Sequence, residues 1–247
     1  MPIATNAVFR DELITRPYRN MFGLSLKIGV ILLSFAMQDN CLQKAETKPR
    51  NEPKMENTEV KNLPKLEASI TLQDKVLHAE YKLKNTTGKT IYLFNVLWEH
   101  DNQGKPLSAP QPVYACLRDN KTLLLGKQIP PLPLLKSVEL RRIPFVTKIE
   151  ANQDFSEKFD IPVPVEEYNP YFPKTQQSSV ENRRAESVVF TIQFIREIEG
   201  LKVTPAQIGN AFTIWHQNIF GNLETISTNP KPIAVQVNYR TDTFERF

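Results

Sequence analysis

The residues that could do chemistry in this chain are its three histidines and the acids near them. His78, His100 and His216 fall on three different segments, whereas zinc sites draw on several His or Cys at short spacing. The densest cluster is Glu99-His100-Asp101, where an apolar run meets a turn. Consecutive side chains of an extended strand face opposite sides, so three neighbours rarely aim at one ion. The cluster reads as a solvated strand end, with no metal and no cofactor expected. His78 alternates with Glu80 on a polar face, and His216 beside Trp215 reads as an edge residue. Glu166-Glu167 is a pair of acids on a loop, but a glycosidase needs two acids facing each other from separate elements. No GxSxG elbow, HExxH helix or glycine-rich phosphate loop is present. No catalytic residue is assigned, and the expectation is a non-enzyme, with a hydrolase of an envelope polymer as an alternative.

The two cysteines, Cys41 and Cys116, leave two readings open. An oxidising compartment would permit a disulfide between them. Otherwise Cys116, within the strand-like "PVYACL", is a buried free thiol and Cys41 is exposed.

Two segments carry side chains suited to binding. "VEEYNPYFP", 165–173, is framed by proline and holds Tyr168, Tyr171 and Phe172, rings that give contact area at low entropic cost. They either face a partner or fold back to plug the end of the domain. "IPPLPLL", 129–135, either offers a polyproline segment to a partner or crosses between sheets with its leucines in the core. "KTQQSSVENRR", 174–184, reads as a long mobile surface connection. Asn85-Thr86-Thr87 matches a glycan acceptor pattern but reads more simply as a turn.

The elements that must position these residues are strands. Leu66, Ala68, Ile70 and Leu72 alternate with polar residues, as do Leu77, Ala79, Tyr81 and Leu83, the period of half-buried strands. "TIYLFNVLW" is apolar on both faces, as a strand in the middle of a packed sandwich would be. "QPVYACL", "KTLLLGK", "SVELRRIPFVT", "DFSEKFDIPV", "SVVFTIQFIREI", "NAFTIWHQN" and "PIAVQVNYR" continue the pattern. "TPAQIGNAF" has the opening of a helix, with Thr204 as cap and Pro205 at the first position, weakened by Gly209. Only 8 glycines against 19 prolines leave the turns to Pro, Asn and Asp. Lys and Arg are interspersed with acids, so no nucleic-acid footprint is visible.

The N-terminal region predicts export. Residues 28–37 are uncharged and mostly apolar after Lys27, shorter than the about 20 residues a membrane-crossing helix needs. The run suits the apolar region of a signal peptide, and Ser34-Phe35-Ala36 supplies a small-x-small cleavage pattern, placing the cut between Ala36 and Met37. A retained anchor is one alternative and lipidation of Cys41 another, although Gln38, Asp39 and Asn40 fit a lipoprotein signal poorly. Residues 1–20 form a polar extension that precedes Met21, a second possible start. Residues 37–65, rich in Lys, Glu, Asn and Pro, read as a flexible linker, and residues 66–247 as one β domain.

"VLHAEYKLKNTTGKTIYLFNVLW" with the later "IEANQDFSEKFDIPV" resembles bacterial extracytoplasmic immunoglobulin-like sandwich domains over roughly residues 66–165. There, Asn152 stands where such domains usually place a glycine, and the paired cysteines around a core Trp are missing. The resemblance implies an antiparallel β-sandwich and an extracytoplasmic habit. The expectation is an all-β, immunoglobulin-like sandwich preceded by an apolar helix and a disordered linker. It would sit in the periplasm or cell envelope as a binding module, or as an inhibitor or chaperone-like protein using the aromatic loop or a strand edge. Its expected partner is another envelope protein, with membrane contact only through the N-terminal segment.

Overall fold

A computed structural model describes residues 62–134 and 136–247, all within a compact unit that begins at Asn57. The apolar helix, the cut between Ala36 and Met37, Cys41 and most of the linker lie outside the described residues. Among the described residues the fold is all-β, with one 3-10 turn at Phe220–Asn222. The strands are β1 (Lys65–Gln73), β2 (Val76–Lys84), β3 (Ile91–Val96), β4 (Trp98–His100), β5 (Pro106–Ser108), β6 (Tyr114–Arg118), β7 (Thr122–Lys127) and β8 (Phe145–Ile149). They continue as β9 (Asp154–Pro162), β10 (Val165–Glu166), β11 (Val180–Ala185), β12 (Ser187–Arg196), β13 (Lys202–Pro205), β14 (Phe212–Trp215), β15 (Leu223–Ser227) and β16 (Val235–Arg240).

An antiparallel sheet β1-β2-β9 faces a larger one in the order β13-β14-β8-β3-β12-β7-β6, with β15 on the free flank of β12. A third sheet, β10-β16-β11, and the ribbon β4-β5 complete the unit. The period-two pattern sets the layers. Leu77, Tyr81 and Leu83 of β2 and Phe159 and Ile161 of β9 enter the main core with Leu93, Leu123, Leu125, Phe190, Ile192 and Phe194. The opposite faces of the same central strands build two further cores: Tyr92, Phe94 and Ile195 with Ile214, and Cys116 and Leu124 with Tyr171, Phe172 and Phe244. This is why "TIYLFNVLW", which holds β3, reads as apolar on both faces.

Beside four glycines, several left-handed turn positions fall to other residues: Asp74 and Lys75 (φ 50° and 61°) turn the β1-β2 hairpin, and Asp119, Asn120 and Asn152 do the same elsewhere. Asn tolerates this conformation better than most L residues, so Asn152 at φ 64° supplies what glycine would. It donates its main-chain N–H to the Asn85 carbonyl at 2.9 Å. Asn85 is wholly buried, its Nδ2 donating to the carbonyls of Lys89 (2.8 Å), Ile149 (3.1 Å) and Glu150 (2.9 Å). The Asn85 side chain therefore holds a turn and is closed to a glycan in the folded chain.

Three expectations about elements are corrected. "TPAQIGNAF" is no helix: Lys202–Pro205 pairs with Phe212–Trp215, and Gly209 at φ 53° turns the hairpin. Of "SVELRRIPFVT" only the last three residues are strand, the start of Phe145–Ile149; the residue before Pro144 is restricted, and the Ile143 carbonyl accepts from Trp98 Nε1 (2.7 Å) instead of a ladder. The polar stretch before Ala185 is half ordered, since Val180–Ala185 forms a full ladder with β16. There Arg183 stacks on Tyr239 at 3.4 Å, a cation–π contact that a reading for polarity alone discounts.

The large sheet forks at β12. Ser187–Ile192 pairs in parallel with β7, while Phe194–Arg196 pairs antiparallel with β3. Because β15 holds the other flank over Thr191–Ile195, β7 and β3 share one edge of β12 and meet end to end. The β3-β8 register also shifts between Leu93 and Val96, so Asn95 belongs to neither ladder. Its orphaned main-chain carbonyl accepts from Lys127 Nζ at 2.9 Å.

Candidate functional site

Between β7 and β8 the described residues of 130–144 have no regular structure. Proline at 130, 131 and 133 removes the N–H groups a ladder would need, so this apolar stretch cannot join the sheet. Ile129 reaches a core, but Leu132 is 39 %, Leu134 93 % and Leu140 77 % exposed. Leu132 and Leu134 of "IPPLPLL" therefore do not cross through the core, and Leu135 lies outside the described residues.

The aromatic loop does the opposite. Tyr171 and Phe172 are buried with Cys116, Leu124 and Phe244, so they fold back rather than face a partner. Tyr168 is partly buried, its hydroxyl donating to Glu99 Oε1 at 2.5 Å. Burial and that hydrogen bond raise the phenol well above its ordinary value.

The two segments meet through Tyr171. Its hydroxyl accepts from the main-chain N–H of Arg142 (2.9 Å) and its carbonyl accepts from Lys136 Nζ (2.7 Å). Tyr171 thus clamps both ends of the strap 136–142 onto the domain. Between the strap and the β4-β5 ribbon lies a groove of about 560 Å³, lined by Trp98, His100, Lys136, Leu140, Arg142 and Tyr171 among others. Trp98 stacks on Phe145 at 5.1 Å with planes 7° apart, which fixes the groove's aromatic wall. Arg142 lies 5.4 Å from the Trp98 ring and donates to His100 Nδ1 at 3.0 Å. Arg141 covers Phe220 at 3.9 Å, itself 43 % exposed. Among the described residues no carboxylate pairs with Lys136, Arg141 or Arg142. The site sets Lys136, Arg141 and Arg142, with the single acid Glu139, over an aromatic wall beside the exposed Leu140.

The other candidates disperse. Glu99 turns to Tyr168, His100 to Arg142, and Asp101 Oδ1 accepts from the N–H groups of Gln103 and Lys105, both at 2.8 Å. His78 pairs with Asp160 at 2.7 Å on an exposed face, and His216 Nδ1 accepts from the Asn218 N–H at 3.1 Å. Glu166 pairs with Lys174 at 2.9 Å. Its neighbour Glu167 is buried, accepting from the N–H groups of Leu117 and Arg240 and from Arg246 at 2.5 Å. The two acids therefore serve different partners. Cys116 is a buried free thiol donating to the Phe247 carbonyl at 3.3 Å. Burial pushes it up to about 11.

A polar cluster at the fork was missed in sequence. Lys127 Nζ pairs with Glu157 Oε1 at 2.7 Å and sits 5.2 Å from the Phe159 ring. Glu157 Oε2 accepts from Tyr81 Oη (2.6 Å) and from Asn95 Nδ2 (3.3 Å). Burial lowers the Lys127 ammonium from its ordinary value and, with Glu157 alongside, raises the Tyr81 phenol. The signal was available: Lys127, Asn95 and Glu157 each fall in phase with apolar residues of their strands, which places them on the core face.

Among the described residues, no helix is long and apolar enough to cross a membrane. Compared with known proteins, the chain matches no family model, no curated protein and no solved structure.

Proposed function

We propose that the chain is an exported, immunoglobulin-like β-sandwich acting as a non-enzymatic binding module of the cell envelope, with the strap groove as its binding face. The observation that carries this is a clamped strap whose three cations pair with no carboxylate among the described residues, with exposed Leu140 between them and an aromatic wall across the groove. Aromatic and arginine groups that can be desolvated together supply much of the energy at protein interfaces. The matching ligand is a segment of another envelope protein that carries carboxylates next to apolar side chains. Export rests on the apolar run at 28–37 and the Ser34-Phe35-Ala36 pattern. The strand-edge alternative is less favoured, because Lys231 donates to the Ala68 carbonyl on β1, a positive charge of the kind that blunts an edge.

The test is a triple variant of the full chain, Leu134→Ser, Leu140→Ser and Arg141→Glu, at three exposed positions. Recovery of a crosslinked envelope protein with the variant falls about tenfold or more relative to the parent, while the unfolding midpoint is kept. Equal recovery with both chains would contradict the reading.

A further inference from the structure

The cluster at the fork brings together an amine, a carboxamide and a carboxylate. Strand alternation puts Asn95 in phase with Ile91 and Leu93, and Lys127 in phase with Leu123 and Leu125, so both project into the main core from one sheet. Glu157 enters the same core from β9 in the facing sheet. Lys127 is 2 % exposed, and its Nζ already lies against Asn95, 2.9 Å from that residue's main-chain oxygen. One carboxylate spans the two nitrogens, with Oε1 2.7 Å from Lys127 Nζ and Oε2 3.3 Å from Asn95 Nδ2. Asn95 Oδ1 is buried and, among the described residues, has no hydrogen-bond partner. A buried carboxamide oxygen left without a donor calls for an explanation.

We propose that Lys127 and Asn95 join through an intramolecular amide bond, formed by the folded chain with Glu157 as proton relay. Glu157 takes a proton from the Lys127 ammonium, and the freed amine attacks Asn95 Cγ. The Glu157 carboxyl proton, held beside the carboxamide, stabilises the charge that develops on Oδ1, which gives that oxygen its missing donor. The Nζ–Cγ bond forms and the Cγ–Nδ2 bond breaks. Nδ2 leaves as ammonia carrying one further proton, so ammonium is released, the carboxylate is regenerated and nothing is oxidised or reduced. Burial favours the neutral amine, and confinement of the two reactants replaces a bimolecular encounter. The product staples β3 to β7 where the sheet forks and no ladder joins them.

Mass spectrometry of the purified full chain, digested with trypsin after denaturation, tests this directly. The expected result is a single linked peptide joining the segment that holds Asn95 to the one that holds Lys127. It weighs one ammonia less than the sum of its parts, and cleavage after Lys127 is absent. Glu157→Gln and Lys127→Arg each lose the link. Separate unmodified peptides with cleavage after Lys127 would overturn the proposal, and this needs no variant to fold. A linked peptide that persists in Lys127→Arg would overturn it as well, since the bond would then lie elsewhere.

Discussion

The main-chain N–H of Arg142 donates to the hydroxyl of Tyr171 at 2.9 Å, from an exposed strap to a ring packed in a buried cluster. This relationship converts a loop reading into a site. Tyr171 packs in that cluster and at the same time holds the strap that carries Lys136, Leu140, Arg141 and Arg142.

Tyr171→Phe keeps the ring in its cluster and removes one acceptor from the strap. The expected cost is about 1 kcal/mol, and local opening of the strap rises roughly fivefold. Limited trypsin digestion of the native chain reads this as faster cleavage after Arg141 and Arg142. An unchanged cleavage rate would show that the clamp does not hold the strap.

Asn85→Ala removes five hydrogen bonds, three donated by Nδ2 and two accepted by Oδ1 from Thr87, from a side chain with no exposure. Leaving buried carbonyls short of a donor costs roughly 1–3 kcal/mol per group, so the variant loses about 3 kcal/mol or more in denaturant unfolding. A loss under 1 kcal/mol would mean that water replaces the amide.

Asn152 sits at φ 64°. Asn152→Ala is expected to cost about 1 kcal/mol, and Asn152→Gly to be near neutral. Equal destabilisation by both substitutions would move the explanation from backbone conformation to the Asn152 side chain.

Cys116 fixes a pH dependence. Its thiol is raised from an ordinary 9.0 to about 11 in the folded chain, so between those values the unfolded state has released a proton that the folded state keeps. Stability from this group is complete below pH 9 and falls as pH rises towards 11, by roughly 2–3 kcal/mol in all. Tyr81, Tyr114 and Tyr168 are raised as well and act in the same direction above their ordinary value. Cys116→Ala flattens the first part of the alkaline loss when unfolding is measured between pH 8 and 11. A parent chain whose stability is constant over that range would contradict the burial of the thiol.

The layers were legible because alternation is a local property: Leu77, Ala79, Tyr81 and Leu83 announce one face of β2. The doubly apolar run at 91–94 announced a strand buried on both sides. Lys127 and Glu157 escape notice because charged residues are ordinarily exposed, although they fall in phase with Leu125 and Phe159 of their strands. The strap escaped for a different reason. Leu132 and Leu134, which lead into it, have the composition of a core, and only the ladder geometry that prolines 130, 131 and 133 forbid places them outside. The direction in which Tyr171 and Phe172 turn depends on the distant Cys116, Leu124 and Phe244, contacts that no local pattern encodes.

The most direct measurement of the central claim is photo-crosslinking in the native cell envelope from a benzophenone side chain placed at Leu140 on the strap, with the same group at Leu72 of β1 as the control. The account predicts a defined protein adduct from position 140 that disappears when Arg141 is replaced by Glu, and none from position 72. Adducts from position 72 alone, or an adduct from 140 indifferent to Arg141, would contradict the strap groove as the binding face.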